Sequence, residues 1–288
     1  MATLRVDTVS GIGTEGTVLK GGLRFRSKNY LTLPKGDTTQ RGRGRALIAG
    51  GSTPSVTTNI DFLNIQSSGK SITFGNLSHG RYDMSGCSNG IRGVFAGGRD
   101  PAGNEIDDTI DFVTIATTAN AIDFGNLTEE RGGTQGAVSS STRGIWGGGF
   151  EPSQVNKIEF ITISSAANAT DFGDLTAARS GCGRAMSTTR GLFASGGTPS
   201  AVNTIDFITM ASEGNAIEFG DARTSRYVIN GGVSNSTRGV WSGGNPALEL
   251  IEYVNFATLG DALDFGDLAV ARRAACGCSD SHGGLGGF

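Results

Sequence analysis

The chain has 288 residues, 47 of them glycine, four cysteines and a net charge of −3. The near-balanced charge argues against nucleic acid as a partner, since a nucleic-acid-binding domain usually carries a strongly basic face. Four cysteines are too few for a disulfide scaffold of this length. No apolar run approaches the ~18 residues of a transmembrane helix, and the first residues lack the apolar segment of a signal peptide. We therefore expect neither membrane insertion nor nucleic-acid binding.

The first forty residues differ from the rest of the chain. Apolar and polar residues alternate in L-R-V-D-T-V and in G-G-L-R-F-R-S-K-N-Y-L-T-L, as in β-strands, and glycines interrupt the pattern. Forty residues bury too little surface to fold alone. We therefore predict two parts: a short N-terminal β leader over 1–40 for attachment or oligomerisation, and a second domain over 41–288. The leader packs on the domain, on sister chains or on another protein.

One phrase then recurs through the chain. R-G-V-F-A-G-G at Arg92 returns in related form at Arg143, Arg190 and Arg238, and an earlier copy begins at Arg45. A period of about 50 residues is typical of propellers, solenoids and arrays. A motif that is present in every repeat is more plausibly architecture than an active site.

Each repeat reads as four short strands, A to D. In the second repeat the predicted strands are 85–88, 93–96, 110–115 and 121–124, rich in β-branched and aromatic residues and bounded by turn residues. Strand C, I-D-F-V-T-I at Ile110, is apolar on both faces and must therefore be covered on both sides. The blade of a β-propeller, which lies between two neighbouring blades, provides that burial without helices.

The repeat also predicts how the ring closes. The first copy begins at strand B, whereas residues 274–279 align with strand A and have no strand B, C or D after them. These residues should complete the first blade, which would remove open sheet edges. The sequence therefore predicts an all-β fold with five blades, and the small residues of strand A suit a narrow central channel.

The repeat resembles the kelch repeat. The resemblance rests on the glycine doublet that ends strand B, an aromatic residue in strand C, another near the end of strand D, and R-S-G before the next strand A, as at Arg179. It covers most of the chain from Arg45 onward. Strand D has Phe where kelch repeats usually have Trp, so the repeat is a diverged one. The resemblance implies a five-bladed kelch-like β-propeller.

Several motifs suggest chemistry but lack the context that the chemistry needs. G-I-G-T-E-G at Gly11 is followed by strand-like residues rather than by the helix of a dinucleotide site. D-F-G at Asp123 has none of the other kinase motifs around it. Ten arginines recur at fixed positions of the repeats, and twelve acids recur at the I-D-F positions of strand C and the D-F-G-D positions of strand D; we interpret this regular pattern as ion pairs that join neighbouring blades. We expect no catalytic residue, no metal and no cofactor.

The leader supplies the main indication of function. V-L-K-G-G-L-R-F followed by N-Y-L-T-L-P-K-G, together with S-S-S-T-R-G-I-W-G-G-G at Ser139, resembles tail-fibre-like virion structural proteins of phages, notably cyanophages. The resemblance implies a tail protein, in the fibre or associated with the baseplate, that recognises the host surface or takes part in assembly and has no catalytic activity. It also implies assembly in the host cytoplasm, a virion location and a homo-oligomer, for which a trimer is one arrangement. The alternatives are an intracellular kelch-type interaction scaffold and, more remotely, a glycan-active propeller enzyme.

The connections between strands B and C vary in length, and variable loops on a regular frame are common binding sites. We therefore predict that they contact the partner, either a bacterial surface glycan or receptor or a neighbouring virion protein. The predicted partner-binding residues are Arg99, Asp100, Asn104, Glu105, Asp107, Asp108, Glu151, Gln154 and Asn156.

Overall fold

The computed structural model of the chain describes residues 44–53, 55–64, 69–100, 106–133, 137–226 and 231–273. The chain divides into two units, Met1–Thr39 and Gln40–Phe288. The first unit and the whole of the leader predicted over 1–40 lie outside the described residues, as does the predicted closing strand at 274–279. Within the described ranges every regular element is a β-strand.

The strands follow the repeat blade by blade. Blade 1 contains β1 (Arg45–Ala49), β4 (Asn59–Asn64) and β5 (Ile72–Asn76), with the short β2 (Ser52–Thr53) and β3 (Ser55–Val56) between them. Blade 2 contains β6 (Ser85–Ser88), β7 (Arg92–Ala96), β8 (Thr109–Thr114) and β9 (Ile122–Asn126). Blade 3 contains β10 (Ala137–Ser139), β11 (Arg143–Gly147), β14 (Lys157–Thr162) and β15 (Thr170–Asp174), with β12 (Phe150–Glu151) and β13 (Ser153–Gln154) inserted. Blade 4 contains β16 (Gly183–Met186), β17 (Arg190–Thr198), β18 (Ser200–Thr209) and β19 (Ile217–Arg226), and blade 5 contains β20 (Gly231–Ser234), β21 (Arg238–Ser242), β22 (Leu248–Asn255) and β23 (Leu263–Arg272).

These strands form a five-bladed β-propeller. Blades 2 to 5 are four-stranded antiparallel sheets in the order A-B-C-D, and blade 1 has strands B, C and D among the described residues. The predicted fold is confirmed, and it is compatible with kelch-like repeats. The register repeats as well: Gly86 lies opposite Phe95 in blade 2, as Ala137 lies opposite Trp146 in blade 3.

The hydrophobic core lies between consecutive blades. Each of four buried clusters combines residues from two neighbouring blades, for example Phe124 of blade 2 with Trp146 of blade 3. Within every blade an aromatic residue of strand C meets a phenylalanine of strand D edge to face; the rings of Phe112 and Phe124 are 5.7 Å apart. Such aromatic pairs contribute about 0.5–1.5 kcal/mol beyond the area that they bury. The junctions between blades therefore carry most of the hydrophobic stabilisation.

The glycine after the strand D phenylalanine allows the blades to approach closely. Gly173 has φ of 142°, and a Cβ there would lie 2.5 Å from the backbone of Gly214 in the next blade. Only glycine combines this backbone conformation with the contact. The Phe-Gly pair thus sets the spacing of neighbouring blades.

Buried ion pairs anchor each connection between consecutive blades 1 to 5, as predicted for the acids of strand C. The acids of the D-F-G motif, at Asp123, Asp171 and Asp264, are exposed instead. The arginine that follows strand D is fully buried and bonds to the strand C acid of the next blade, as Arg81 does with Asp111 at 2.6 Å and Arg131 with Glu159 at 2.8 Å. Arg226 and Glu252 form the same pair. Each acid also accepts a backbone N–H, for example from Thr128 to Glu159 at 2.7 Å. These charges hold the frame, since a buried charge must be paired.

Candidate functional site

One face of the propeller carries the connections from strand B to C and from strand D to the next strand A. We call it the loop face; in blades 2 and 3 it consists of residues 77–84, 97–100, 106–108, 128–133 and 148–156. Isolated bridges join the two kinds of connection, between Tyr82 and Arg99 and between Gly132 and Phe150. The face is therefore a continuous hydrogen-bonded surface rather than a set of separate loops.

The B–C connections are more ordered than the sequence suggested. In blade 3 they form a two-stranded ribbon, where Phe150 pairs with Gln154, and in blade 4 strands β17 and β18 extend into a long hairpin that ends at the Thr198–Ser200 pair. Blade 1 has a short ribbon of its own, β2 with β3. The variable parts of the repeat thus have a different structure in each of these blades.

Arg99 lies where the loop-face connections of blades 2 and 3 meet. Its Nε is 3.8 Å from a carboxylate oxygen of Asp83, and its guanidinium lies over the ring of Phe150, 5.8 Å from the centroid. About a quarter of the Arg99 side chain, 26%, and about half of Asp83, 48%, remain exposed to solvent. This charged pair beside an aromatic ring is accessible to a partner.

Asp107 forms a second cluster next to Arg99. Its carboxylate bonds to Nε2 of His79, while Nδ1 of His79 lies 3.1 Å from the hydroxyl of Ser78. The buried Arg81 lies behind, with its Nε 4.0 Å from Asp107. Partial burial raises the pKa of Asp107, but the hydrogen bonds from Thr109 and His79 and the charge of Arg81 outweigh it, so that the pKa is lowered.

Sequence reasoning missed the pair of His79 and Asp107. The two residues are 28 positions apart, and they meet because the D–A and B–C connections lie on the same face. The other four repeats have Glu129, Ala177, Thr224 and Val270 in place of His79. A departure from the repeat was the available signal, and it could have identified this site.

The remaining predicted partner-binding residues have varied surroundings. Asp108 and Asn156 act through their backbone carbonyls, which accept the N–H groups of Leu127 and Leu175 at 2.7 Å, and the Asn156 side chain is exposed. Asp100 is half-buried and has an interaction partner. Asn104 and Glu105 lie outside the described residues, as does the side chain of Glu151. Their role in partner binding stays a prediction.

A cavity of about 360 Å³ lies at the propeller axis. Strands A of blades 2 to 5 line it with small residues, among them Gly86, Ala137 and Gly232, and strand β1 lines it from blade 1. The narrow channel therefore follows the size of the strand A side chains, as the sequence indicated.

Arg184 breaks the pattern of small residues in this channel. It occupies the position of Gly86, Ala137 and Gly232 in the other blades, and its Nη1 donates a hydrogen bond across the channel to the carbonyl oxygen of Gly86, at 3.1 Å. Burial raises the pKa of the neighbouring Cys87 thiol to about 12, although the charge of Arg184 acts in the opposite direction. Cys87 is therefore a neutral thiol and not a nucleophile at ordinary pH.

In the part of the chain that the structure describes, no three His, Cys, Asp or Glu side chains come together in a way that could hold a metal ion. The same part contains no helix long and apolar enough to span a bilayer. No protein-family model matches the chain, and no curated protein shows significant similarity to it. The fold itself fits a binding or protein-interaction role.

Proposed function

We propose that this chain is a non-catalytic structural protein of a phage tail, located in the fibre or near the baseplate, which binds a partner through its loop face. The phage assignment rests on the resemblance of the leader and the repeats to tail-fibre-like proteins. The binding role rests on the propeller fold, whose rigid blades commonly present variable loops to a partner.

The proposal rests mainly on one observation: the repeats differ from one another in the connections between strands B and C, on the loop face. The contacts between blades use the same residue types at each position, whereas the B–C connections differ in length and structure. Arg99 lies beside Asp83 and Phe150 on this varied face, and His79 pairs with Asp107 there; the other repeats have residues of other types at these positions. Selection for packing alone would not require such differences.

The chemistry of this face suits a polar partner such as a bacterial surface glycan. Guanidinium and carboxylate groups donate and accept the hydrogen bonds that hydroxyl groups need, and the half-buried ring of Phe150 adds an apolar surface beside them. Residues 1–40 would join the propeller to other virion proteins or to sister chains. The protein would be assembled in the host cytoplasm and carried on the virion.

Binding to host material tests the loop face. Residues 99–105 are replaced by a Gly/Ser sequence of equal length, which removes the Arg99 side chain from Asp83 and Phe150, and envelope glycan from candidate bacterial hosts is immobilised on a sensor surface. We expect binding to fall at least tenfold with an unchanged melting temperature. The matched control changes Thr117 and Thr118, exposed residues of a C–D turn on the opposite face, to alanine. Equal binding by all three proteins would contradict a role for the loop face.

Detection in particles tests the phage assignment separately. An antibody against the recombinant chain should label gradient-purified virions, as seen by electron microscopy and by mass spectrometry of the particles. Recovery from infected cells only in complexes with cytoplasmic proteins, and never in particles, would instead support the intracellular scaffold.

A further inference from the structure

Most arginines of the described blades have a partner that offsets their charge. Those that follow strand D of blades 1 to 4 each face a buried carboxylate of the next blade. Those that begin strand B each lie over an aromatic ring of strand C, as Arg92 lies 4.4 Å from the centroid of Phe112. On the loop face, Arg99 pairs with Asp83. A guanidinium that leaves bulk water is thus matched by a carboxylate or by a ring.

Arg184 has neither kind of partner among the described residues. It is half-buried and lines the axial cavity, and its one hydrogen bond runs from Nη1 to the carbonyl oxygen of Gly86, at 3.1 Å. Its Nε and Nη2 form the other edge of the guanidinium and donate to no described residue. That edge is the one that holds a carboxylate or a phosphate through two parallel hydrogen bonds.

The described walls of the cavity supply no negative charge. They contain a second guanidinium, that of Arg45, and no aspartate or glutamate. Cys87, the thiol beside Arg184, is not a counter-ion either, because burial raises its pKa to about 12. A cavity of about 360 Å³ with two cations on its described walls has a positive potential, which attracts an anion.

Hydroxyl groups line the same cavity. Two residues after the position of Arg184 in strand A, blades 2, 3 and 5 have Ser88, Ser139 and Ser234. The Ser139 hydroxyl donates to the carbonyl oxygen of Ser88, at 2.9 Å, whereas the Ser88 hydroxyl has no hydrogen bond to a described residue. Ser88 lies two residues along β6 from Gly86, to which Arg184 is bound, and two residues of a strand span about 7 Å. An oxyanion with a hydrogen bond on each side bridges a distance of this order.

We propose that the axial cavity binds a small oxyanion of the phosphate or sulfate type, held by the Nε–Nη2 edge of Arg184 and by the hydroxyl of Ser88. The volume of the cavity is that of a site for a small ligand rather than for a polymer. The bond from Arg184 to Gly86 holds the guanidinium in place before the anion arrives, which reduces the entropy lost on binding. The site is separate from the loop face and does not depend on the proposed phage function.

Titration calorimetry tests the site. Sodium phosphate is added to the full chain in sodium chloride at constant ionic strength, since phosphate also stabilises proteins in general by its exclusion from their surface. We expect saturable binding of one phosphate per chain, and competition by sulfate but not by extra chloride. Binding should be at least tenfold weaker in Arg184→Ala, whose new side chain is the one that Ala137 has at the equivalent position of blade 3. Arg184→Lys keeps the charge but not the two parallel donors, and should have an intermediate affinity.

The matched control is Arg223→Ala. It removes an arginine that is 43% exposed and pairs with Asp264 outside the cavity, so phosphate binding should equal that of the wild type. The absence of saturable binding by the wild type would overturn the proposal. So would equal affinity in the wild type and Arg184→Ala, or an equal loss in Arg184→Ala and Arg223→Ala, which would show an effect of net charge alone.

Chemical modification tests the site without a substitution. The wild type is treated with butane-2,3-dione, a small reagent for guanidinium groups, and peptide mass spectrometry follows Arg184 and Arg223 separately. Saturating phosphate should slow the modification of Arg184 at least fivefold and leave that of Arg223 unchanged. Equal rates at Arg184 with and without phosphate would overturn the proposal. A guanidinium that reacts in neither sample is closed to small molecules and would overturn it as well.

Discussion

Arg179 and Asp206 form an ion pair of 2.6 Å in which neither side chain has any exposure to solvent. The carboxylate also accepts the N–H and the hydroxyl of Thr176, at 2.9 and 2.7 Å. The pair fixes the connection between blades 3 and 4 to strand C of blade 4. Its charges are therefore part of the frame rather than of a binding surface.

Removal of one member of this pair should strongly destabilise the propeller. Arg179→Met leaves a buried, uncompensated carboxylate, and we expect a loss of about 3–5 kcal/mol in the free energy of unfolding. The double variant Arg179→Met/Asp206→Leu should recover most of that loss, since no charge stays buried. Urea unfolding measures both. As a control, Lys157→Ala breaks a partly exposed pair with Glu129 and should cost less than about 1 kcal/mol.

Ser195 occupies a position that favours glycine, so Ser195→Gly should stabilise the protein. It lies at the first position of the glycine doublet, with φ of 57°, and its buried hydroxyl has no hydrogen-bond partner among the described residues. We expect a gain of about 1 kcal/mol from the relief of this backbone conformation. The reverse change, Gly148→Ser, should destabilise, because its Cβ would lie 2.3 Å from the carbonyl oxygen of Arg179. A lower melting temperature for Ser195→Gly would contradict this account.

Because the pKa of Asp107 is lowered in the folded protein, the free energy of unfolding should vary with pH in the acid range. The pKa of Asp107 is lower in the folded protein than the value of about 3.9 that it has in the unfolded chain. Its carboxylate therefore stabilises the folded protein at any pH above the unfolded pKa, and this contribution is lost as the pH falls through the folded pKa. The free energy of unfolding of the wild type should therefore exceed that of Asp107→Asn near neutral pH, and the difference should vanish below the folded pKa. Parallel pH profiles would show that the charge of Asp107 contributes nothing.

Deletion of residues 1–40 should yield a folded monomer. The leader has regularly spaced apolar residues and no counterpart in the repeat, so its burial requires another surface. Light scattering of the full and shortened chains compares the two masses, and circular dichroism checks that the shortened chain keeps its β structure. The same number of chains per particle in both samples would exclude the leader as the assembly element.

The sequence predicted the blades well because one pattern recurs in every repeat. Strand β6 has the predicted bounds 85–88, and strand β7 begins one residue before the predicted 93. The hairpin from Phe150 to Gln154 could not be predicted, because its strands have only two residues each and show no alternation of apolar and polar residues. It depends on the pairing of β11 with β14, the strands on either side of it in the chain. His79 and Asp107 come together only through the fold. Arg184, in contrast, stands out once the copies of strand A are aligned.

Arg184 makes a hydrogen bond between two blades that are not neighbours, unlike the ion pairs that recur between consecutive blades. The recurring ion pairs join one blade to the next, so they would form in the same way if recombination between repeats added or removed a blade. The bond from Arg184 in blade 4 to Gly86 in blade 2 crosses two junctions, so it forms only when the diameter of the channel is right. The hydrogen bond from Arg184 to Gly86 therefore depends on the number of blades in the ring. If duplication of a repeat added a sixth blade, the channel would be wider and more hydrated, and the guanidinium of Arg184 would no longer reach the carbonyl oxygen of Gly86. A protein with six blades would therefore need a different residue at position 184 before the added blade carried no cost in stability.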